Sequence, residues 1–218
     1  MHQMRSNRCL LNSLLACALA TAFGVSACRH APVLLPLGAN NDTRNTNDPA
    51  SHRWAEPLTY PGLPNLHKVS DDLYRGAQPA AEGMKQLQAL GIRTIINLRS
   101  SDTDRDIWDE AGPTQEHIPM VAWHAHDDDV VRFLQIVTDE SRLPAFVHCR
   151  RGADRTGLMI AVYRIAVQGW DKEQAIAEMT QGGFRFYSGW GNLVRYIQDL
   201  DIGEIRRRAG MAEPAPAN

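Results

Sequence analysis

Ala145-Phe146-Val147-His148-Cys149-Arg150-Arg151-Gly152-Ala153-Asp154-Arg155-Thr156-Gly157 holds the key to the chain. The apolar run entered through Pro144 predicts a short buried strand ending near Cys149. Residues 155–167 are apolar on almost every side (Leu158, Met159, Ile160, Val162, Ile165), which predicts a central, buried helix. Between them lies a loop in which Gly152 supplies backbone freedom that a side chain would deny. A strand, a tight loop and a helix in this order place a thiol under a helix N-terminus. The dipole and free N–H groups there favour an anion. Five intervening residues are enough to curl into a nest of inward-pointing amides. A free thiol with a pKa of ~8.5 is mostly protonated at neutral pH, and such surroundings favour its thiolate. Arg155, in the first turn of the helix, carries a planar fork suited to bidentate contact with phosphate oxygens.

Outward from this stretch, strands alternate with helices. Residues 66–69, 73–74 and 94–98 read as strands, and residues 118–120 end a weaker one. Residues 82–90 form a helix closed by Gly91, with Met84, Leu87 and Leu90 along one side. Residues 129–138 form an amphipathic helix through Val130, Phe133, Leu134 and Val137. Two further amphipathic helices are expected near residues 172–181 and 192–200. The pattern predicts an α/β fold with a central, mostly parallel sheet flanked by helices.

The first residues have a different character. Arg5 and Arg8 precede an apolar run over residues 10–25 that ends in small residues, the form of a secretory signal over residues 1–27. Val25-Ser26-Ala27-Cys28 resembles the lipobox of bacterial lipoproteins, which implies lipidation of Cys28 and membrane attachment through acyl chains. Residues 28–57, rich in Pro, Asn, Asp and Thr, are expected to be a tether, residues 58–209 the folded domain, and residues 210–218 a disordered tail. Of the four cysteines, Cys9 and Cys17 fall in the leader and Cys28 at the lipidation position. Cys149 is then the single remaining thiol, so no disulfide framework is expected. The formal charge of −2 lacks the basic excess of a nucleic-acid binder.

His148-Cys149, five residues and Arg155-Thr156 resemble the HC-x5-R-[ST] phosphate loop of the protein tyrosine phosphatase superfamily. The likeness is greatest to the compact atypical dual-specificity phosphatases, including the plant and fungal branch that acts on inositol pyrophosphates. It extends through Leu73-Tyr74-Arg75-Gly76-Ala77-Gln78-Pro79, residues 91–99 and residues 163–178, covering residues 66–200. The resemblance implies a dual-specificity phosphatase-like fold and phosphomonoester hydrolysis through a phosphocysteine on Cys149. Arg155 would bind the transferring phosphoryl group, Thr156 would hydrogen-bond the sulfur, and His148 would order the loop. Arg150, Arg151, Gly152, Ala153 and Asp154 would complete the phosphate cradle. The general acid would be Asp127, expected just before a helix capped by Asp128 or Asp129, with Asp154 as a rival.

Two cations, Arg150 and Arg151, favour a substrate with several phosphates if they face the pocket, and are simply solvated if they do not. Ala153 stands where some relatives carry lysine, which weakens any transfer of inositol polyphosphate specificity. Arg99 is a further candidate for the pocket rim. His124 and His126 have spacing that a metal could use, but the implied mechanism needs no metal or cofactor. The expected substrate is a phosphorylated protein or a small phosphorylated molecule. The alternatives are an inositol phosphate or phosphoinositide phosphatase, or a phosphate-binding module without turnover.

Overall fold

The computed structural model describes residues 53–101 and 112–212. The expected signal over residues 1–27, the lipidation position Cys28, most of the tether and residues 213–218 lie outside the described residues. Six strands form one sheet: β1 (Glu56–Pro57), β2 (His67–Lys68), β3 (Leu73–Ala77), β4 (Thr94–Asn97), β5 (Thr114–His117) and β6 (Ala145–Cys149). Their spatial order is β1-β2-β3-β6-β4-β5. β1, β2 and β3 pair antiparallel, whereas β3, β6, β4 and β5 are parallel. Strand β6, which ends in Cys149, is therefore central, flanked by β3 and β4, with all five of its residues buried.

Alternation along β6 divides its side chains between two apolar layers. Phe146 joins Ile95, Leu87 and Met84 beneath helix α1 (Ala81–Ala89). Ala145, Val147 and Cys149 face the larger layer, formed with α2 (Asp127–Val137), α3 (Asp154–Ala166), α4 (Lys172–Gln181), α5 (Gly191–Asp199) and α6 (Ile202–Arg208). Gly91, at φ +76°, follows the C-cap of α1, as its position after the last periodic residue predicts. Among the described residues no helix is long and apolar enough to cross a membrane.

Four expectations need correction. The tether does not extend to Pro57, because Glu56–Pro57 pairs with β2 and the Ala55 N–H donates to Glu178 at 2.7 Å. Order at the other end continues past residue 209, since the Met211 N–H bonds the Arg206 carbonyl at 3.0 Å and its side chain packs on the core. Helix α2 starts at Asp127, two residues earlier than its apolar periodicity indicates, and its N-cap is His126 rather than Asp128 or Asp129. The strand ahead of α2 covers Thr114–His117, so residues 118–120 continue beyond it as irregular chain.

Helix α3 is buried nearly throughout, as its composition predicts, but its core face also carries a charge. Arg164 is 1% exposed and meets Glu178 of α4 through two bonds of 2.7 Å. The guanidinium also donates to the Val69 carbonyl and the Gln168 side chain and lies over the Trp170 ring. Glu178 thus joins α3, α4 and the N-terminal approach through Ala55. Removing one partner strands the other charge in the core. Glu178→Ala is expected to lower unfolding free energy by about 3–5 kcal/mol. Urea titration of purified protein checks this, and a loss below about 1 kcal/mol would refute the structural weight given to the pair.

Candidate active site

The site is assembled where β6 runs into α3. Cys149 ends the strand at 2% exposure. Arg150 and Arg151 turn outward and are exposed, Gly152 and Ala153 turn back and are buried, and Asp154 opens α3. Gly152 has φ +69°, and a Cβ there would stand 2.4 Å from the Gly76 carbonyl group. Both the backbone angle and the close approach to β3 exclude a larger residue.

The loop's polar groups are sorted by direction. The Arg151 carbonyl accepts from Asn65 Nδ2 at 3.0 Å, and the Gly152 carbonyl accepts from Arg75 Nη2 at 2.8 Å. The amides of Arg151 and Thr156 act on the sulfur. Burial is the largest single influence on the Cys149 thiol and opposes ionisation. The Thr156 hydroxyl and amide, the Arg155 charge and the Arg151 amide together outweigh it, so the pKa lies below the ordinary thiol value. Thr156 Oγ1 is buried and among the described residues bonds no oxygen or nitrogen, and its hydroxyl acts on the sulfur.

Arg155 Nη1 donates to the Leu98 carbonyl at 3.2 Å and to the Met120 carbonyl at 3.1 Å. The first lies just past the end of β4 and the second three residues past β5. Two carbonyls thus fix the guanidinium plane. Among the described residues its Nε and Nη2 donors take no protein acceptor, leaving one edge of the fork for phosphate. His148 is fully buried, stacks on Phe146 at 5.6 Å and has Nδ1 3.4 Å from the Cys149 carbonyl. It belongs to the support of the loop.

The acidic candidates are separated. Asp154 Oδ1 accepts the Tyr187 N–H at 2.9 Å, a bond that fastens the loop after α4 to the start of α3. Asp127 accepts from the Tyr196 hydroxyl at 2.7 Å and lies 3.7 Å from Arg208. Asp128 pairs with Arg208. Asp129 is partly buried, which with the Asp128 charge pushes its carboxyl pKa up against the pull of His126. His124 and His126 meet edge to face at 4.2 Å. Arg99 is half-buried, and its N–H donates to Asn97.

Three functional contributors lay outside the sequence reading: Arg75 and Asn65, which hold the loop carbonyls, and Met120, whose carbonyl holds Arg155. Arg75 stands in Leu73-Tyr74-Arg75-Gly76, and nothing in composition shows that it reaches 77 residues along the chain to Gly152.

An activated thiol, inward-facing amides and an oriented guanidinium define a cysteine-dependent phosphatase. Comparison with known proteins gives the family. Residues 64–188 match the family described as DSP-PTPase phosphatase fused to NAD+ kinase. The dual specificity protein phosphatase TpbA of Pseudomonas aeruginosa is 34% identical over 182 residues, 83% of this chain and 82% of that protein. Its crystal structure superposes with a TM-score of 0.65, covering 72% of this chain and 96% of the other. The catalytic core of the Saccharomyces cerevisiae PP-IP phosphatase Siw14, 22% identical with a TM-score of 0.61, covers 70% of this chain and 94% of its own and shares the fold. The chain belongs to the dual-specificity phosphatase family of the protein tyrosine phosphatase superfamily. It hydrolyses phosphomonoesters through a phosphocysteine.

Proposed function

We propose that the chain acts on phosphotyrosine in proteins outside the cytoplasm, held at a membrane by lipid on Cys28. The single observation that carries the substrate class is the convergence of Cys149, the loop amides and Arg155 on one anion site. TpbA, solved with phosphotyrosine, is 32% identical and that complex covers 76% of this chain, which supports an aryl ester. The lipobox-like Val25-Ser26-Ala27-Cys28 supports the anchor. Labelling of cells with a radioactive fatty acid should mark wild type and leave Cys28→Ser unmarked.

A second reading has its own observation. Arg150 and Arg151 turn outward and are exposed, so they support this reading only through the positive charge they add beside the loop. A relative in Arabidopsis thaliana, 26% identical over 66% of this chain, is named inositol diphosphatase DSP5. Phosphotyrosine peptide and inositol pyrophosphate, compared at equal concentration, decide between them. A higher kcat/KM on the inositol substrate would displace the phosphotyrosine reading.

For the general acid we propose Asp127, in the first turn of α2. The Tyr196 hydroxyl supports this assignment by orienting its carboxyl. Asp129 is the competitor, because burial favours its protonated form. Asp127→Asn should slow phosphotyrosine hydrolysis about 100-fold while slowing p-nitrophenyl phosphate, whose leaving group needs less protonation, by less than tenfold. The same selective loss in Asp129→Asn, with Asp127→Asn unaffected, would move the role two residues along the helix.

A further inference from the structure

Arg75 occupies an unusual position for a cation. It lies in β3 opposite Val147, two places before the pair Ala77 and Cys149, and shares with Leu73 the side of the strand that faces the larger layer of α2–α6. Its exposure is 0%, and its guanidinium carbon lies 3.6 Å from the centre of the Phe184 ring. Nη2 donates to the Gly152 carbonyl, while Nε and Nη1 have no partner among the described residues.

Among the described residues no carboxylate pairs with this charge. The nearby acid is Glu178, but its Oε1 accepts from Arg164 and the Ala55 N–H, and its Oε2 accepts from Arg164. A fully buried cation without a counter-ion costs several kcal/mol, and an aromatic face offsets only about 2 of them. Burial pushes the Arg75 pKa down to about 10, with Glu178 and Cys149 opposing and Arg164 adding to the fall. The group is still a cation at neutral pH. Its placement makes sense if the missing negative charge arrives at the phosphate loop.

Peptide geometry gives the same residue a second task. In a planar trans peptide the carbonyl and the following N–H point in opposite directions. Fixing the Gly152 carbonyl on Arg75 therefore aims the Ala153 N–H the other way, into the cradle. Asn65 does the same one residue earlier, where its bond to the Arg151 carbonyl aims the Gly152 N–H inward.

We propose that Arg75 is a positioning residue of this phosphatase: it clamps the Gly152 carbonyl so that the loop amides converge, and its charge is the buried counterpart of the Cys149 thiolate and the bound phosphoryl group. This rests on the phosphatase activity and is independent of the physiological substrate. The charged and titratable groups that face the pair are Arg155 and Arg164 of α3, Glu178 of α4, His67 of β2, and His148 beside the sulfur on β6.

The test uses Arg75→Met, Arg75→Gln and Arg75→Lys in the full chain. Reaction of Cys149 with iodoacetamide is followed on its own peptide by mass spectrometry across pH, and kcat and KM are measured on p-nitrophenyl phosphate. The neutral variants should raise the midpoint of alkylation by about one pH unit, the effect of one nearby charge, and lower kcat/KM about tenfold. Lysine keeps the charge but loses the fork, so its midpoint should stay within roughly 0.3 units of wild type while KM rises at least about threefold. A residue that only supported the fold would lower the melting temperature and leave the midpoint in place, and that result overturns the proposal. If neither neutral variant melts cooperatively, the lysine variant decides. A raised KM at an unshifted midpoint supports the proposal, whereas wild-type KM or a midpoint shifted upward refutes it. Wild-type turnover of the same aryl phosphate is the control: its absence would sink the phosphatase reading itself.

Discussion

Cys149→Ser will abolish turnover, with kcat falling at least about 10,000-fold, and will leave phosphate binding within about fivefold of wild type. The two halves of this expectation come from different atoms. Turnover needs an anion that attacks phosphorus and later leaves it, and a serine hydroxyl is un-ionised at any pH the fold survives. Binding needs the loop amides and the outer edge of Arg155, none of which the substitution touches. The clamps on the Arg151 and Gly152 carbonyls also remain, so the cradle keeps its shape. Acid-quenched wild type should carry phosphate on Cys149, whereas the variant should carry none. Residual turnover above a few per cent would mean that another nucleophile does the work.

The same sulfur fixes the pH behaviour. Its pKa is depressed below the ordinary thiol value, with Thr156 and Arg155 outweighing burial. Between the folded and unfolded values the native state binds fewer protons than the unfolded chain. Wild type should therefore gain stability relative to Cys149→Ser as pH rises through that window, and lose the difference as pH falls through the folded value. The acid limb of kcat/KM should report the same group, since only the thiolate reacts.

The parts of the fold written in local chemistry were legible: the apolar strand before Cys149, Gly152 at the turn, and the all-round apolar helix behind it. All three are set by neighbours in sequence. The buried charges were not legible, because each depends on a distant partner. Arg164 reads as an interruption in an apolar helix until Glu178 is folded onto it. Arg75 reads as an ordinary strand residue until Gly152 arrives above it. The start of α2 is hidden for a related reason. Periodicity records only the apolar face, and that face begins at Val130, while the three aspartates complement the dipole from inside the first turn. Sequence thus pointed to Cys149 and Arg155, which the fold brings together where β6 runs into α3, but not to the residues that hold their surroundings in place.

Arg155→Lys is the sharper test of that distinction, because it keeps the charge and removes only the geometry. The guanidinium performs two functions at once. Nη1 spans the Leu98 and Met120 carbonyls, and the expected partner of the opposite edge is a pair of phosphate oxygens. A lysine ammonium has three donors on a flexible stem and no rigid second edge. It can satisfy the carbonyls or the phosphate, but not both in a fixed plane. The transferring phosphoryl group spreads its charge over equatorial oxygens, so the bidentate contact matters most at the transition state. The expected loss is about 1,000-fold in kcat/KM, equivalent to about 4 kcal/mol of transition-state stabilisation, with the larger part in kcat. The Cys149 alkylation midpoint should move little, since a cation remains beside the sulfur. If Arg155→Lys instead retains kcat/KM within tenfold of wild type, charge alone suffices there, and the carbonyl-fixed plane has no catalytic role.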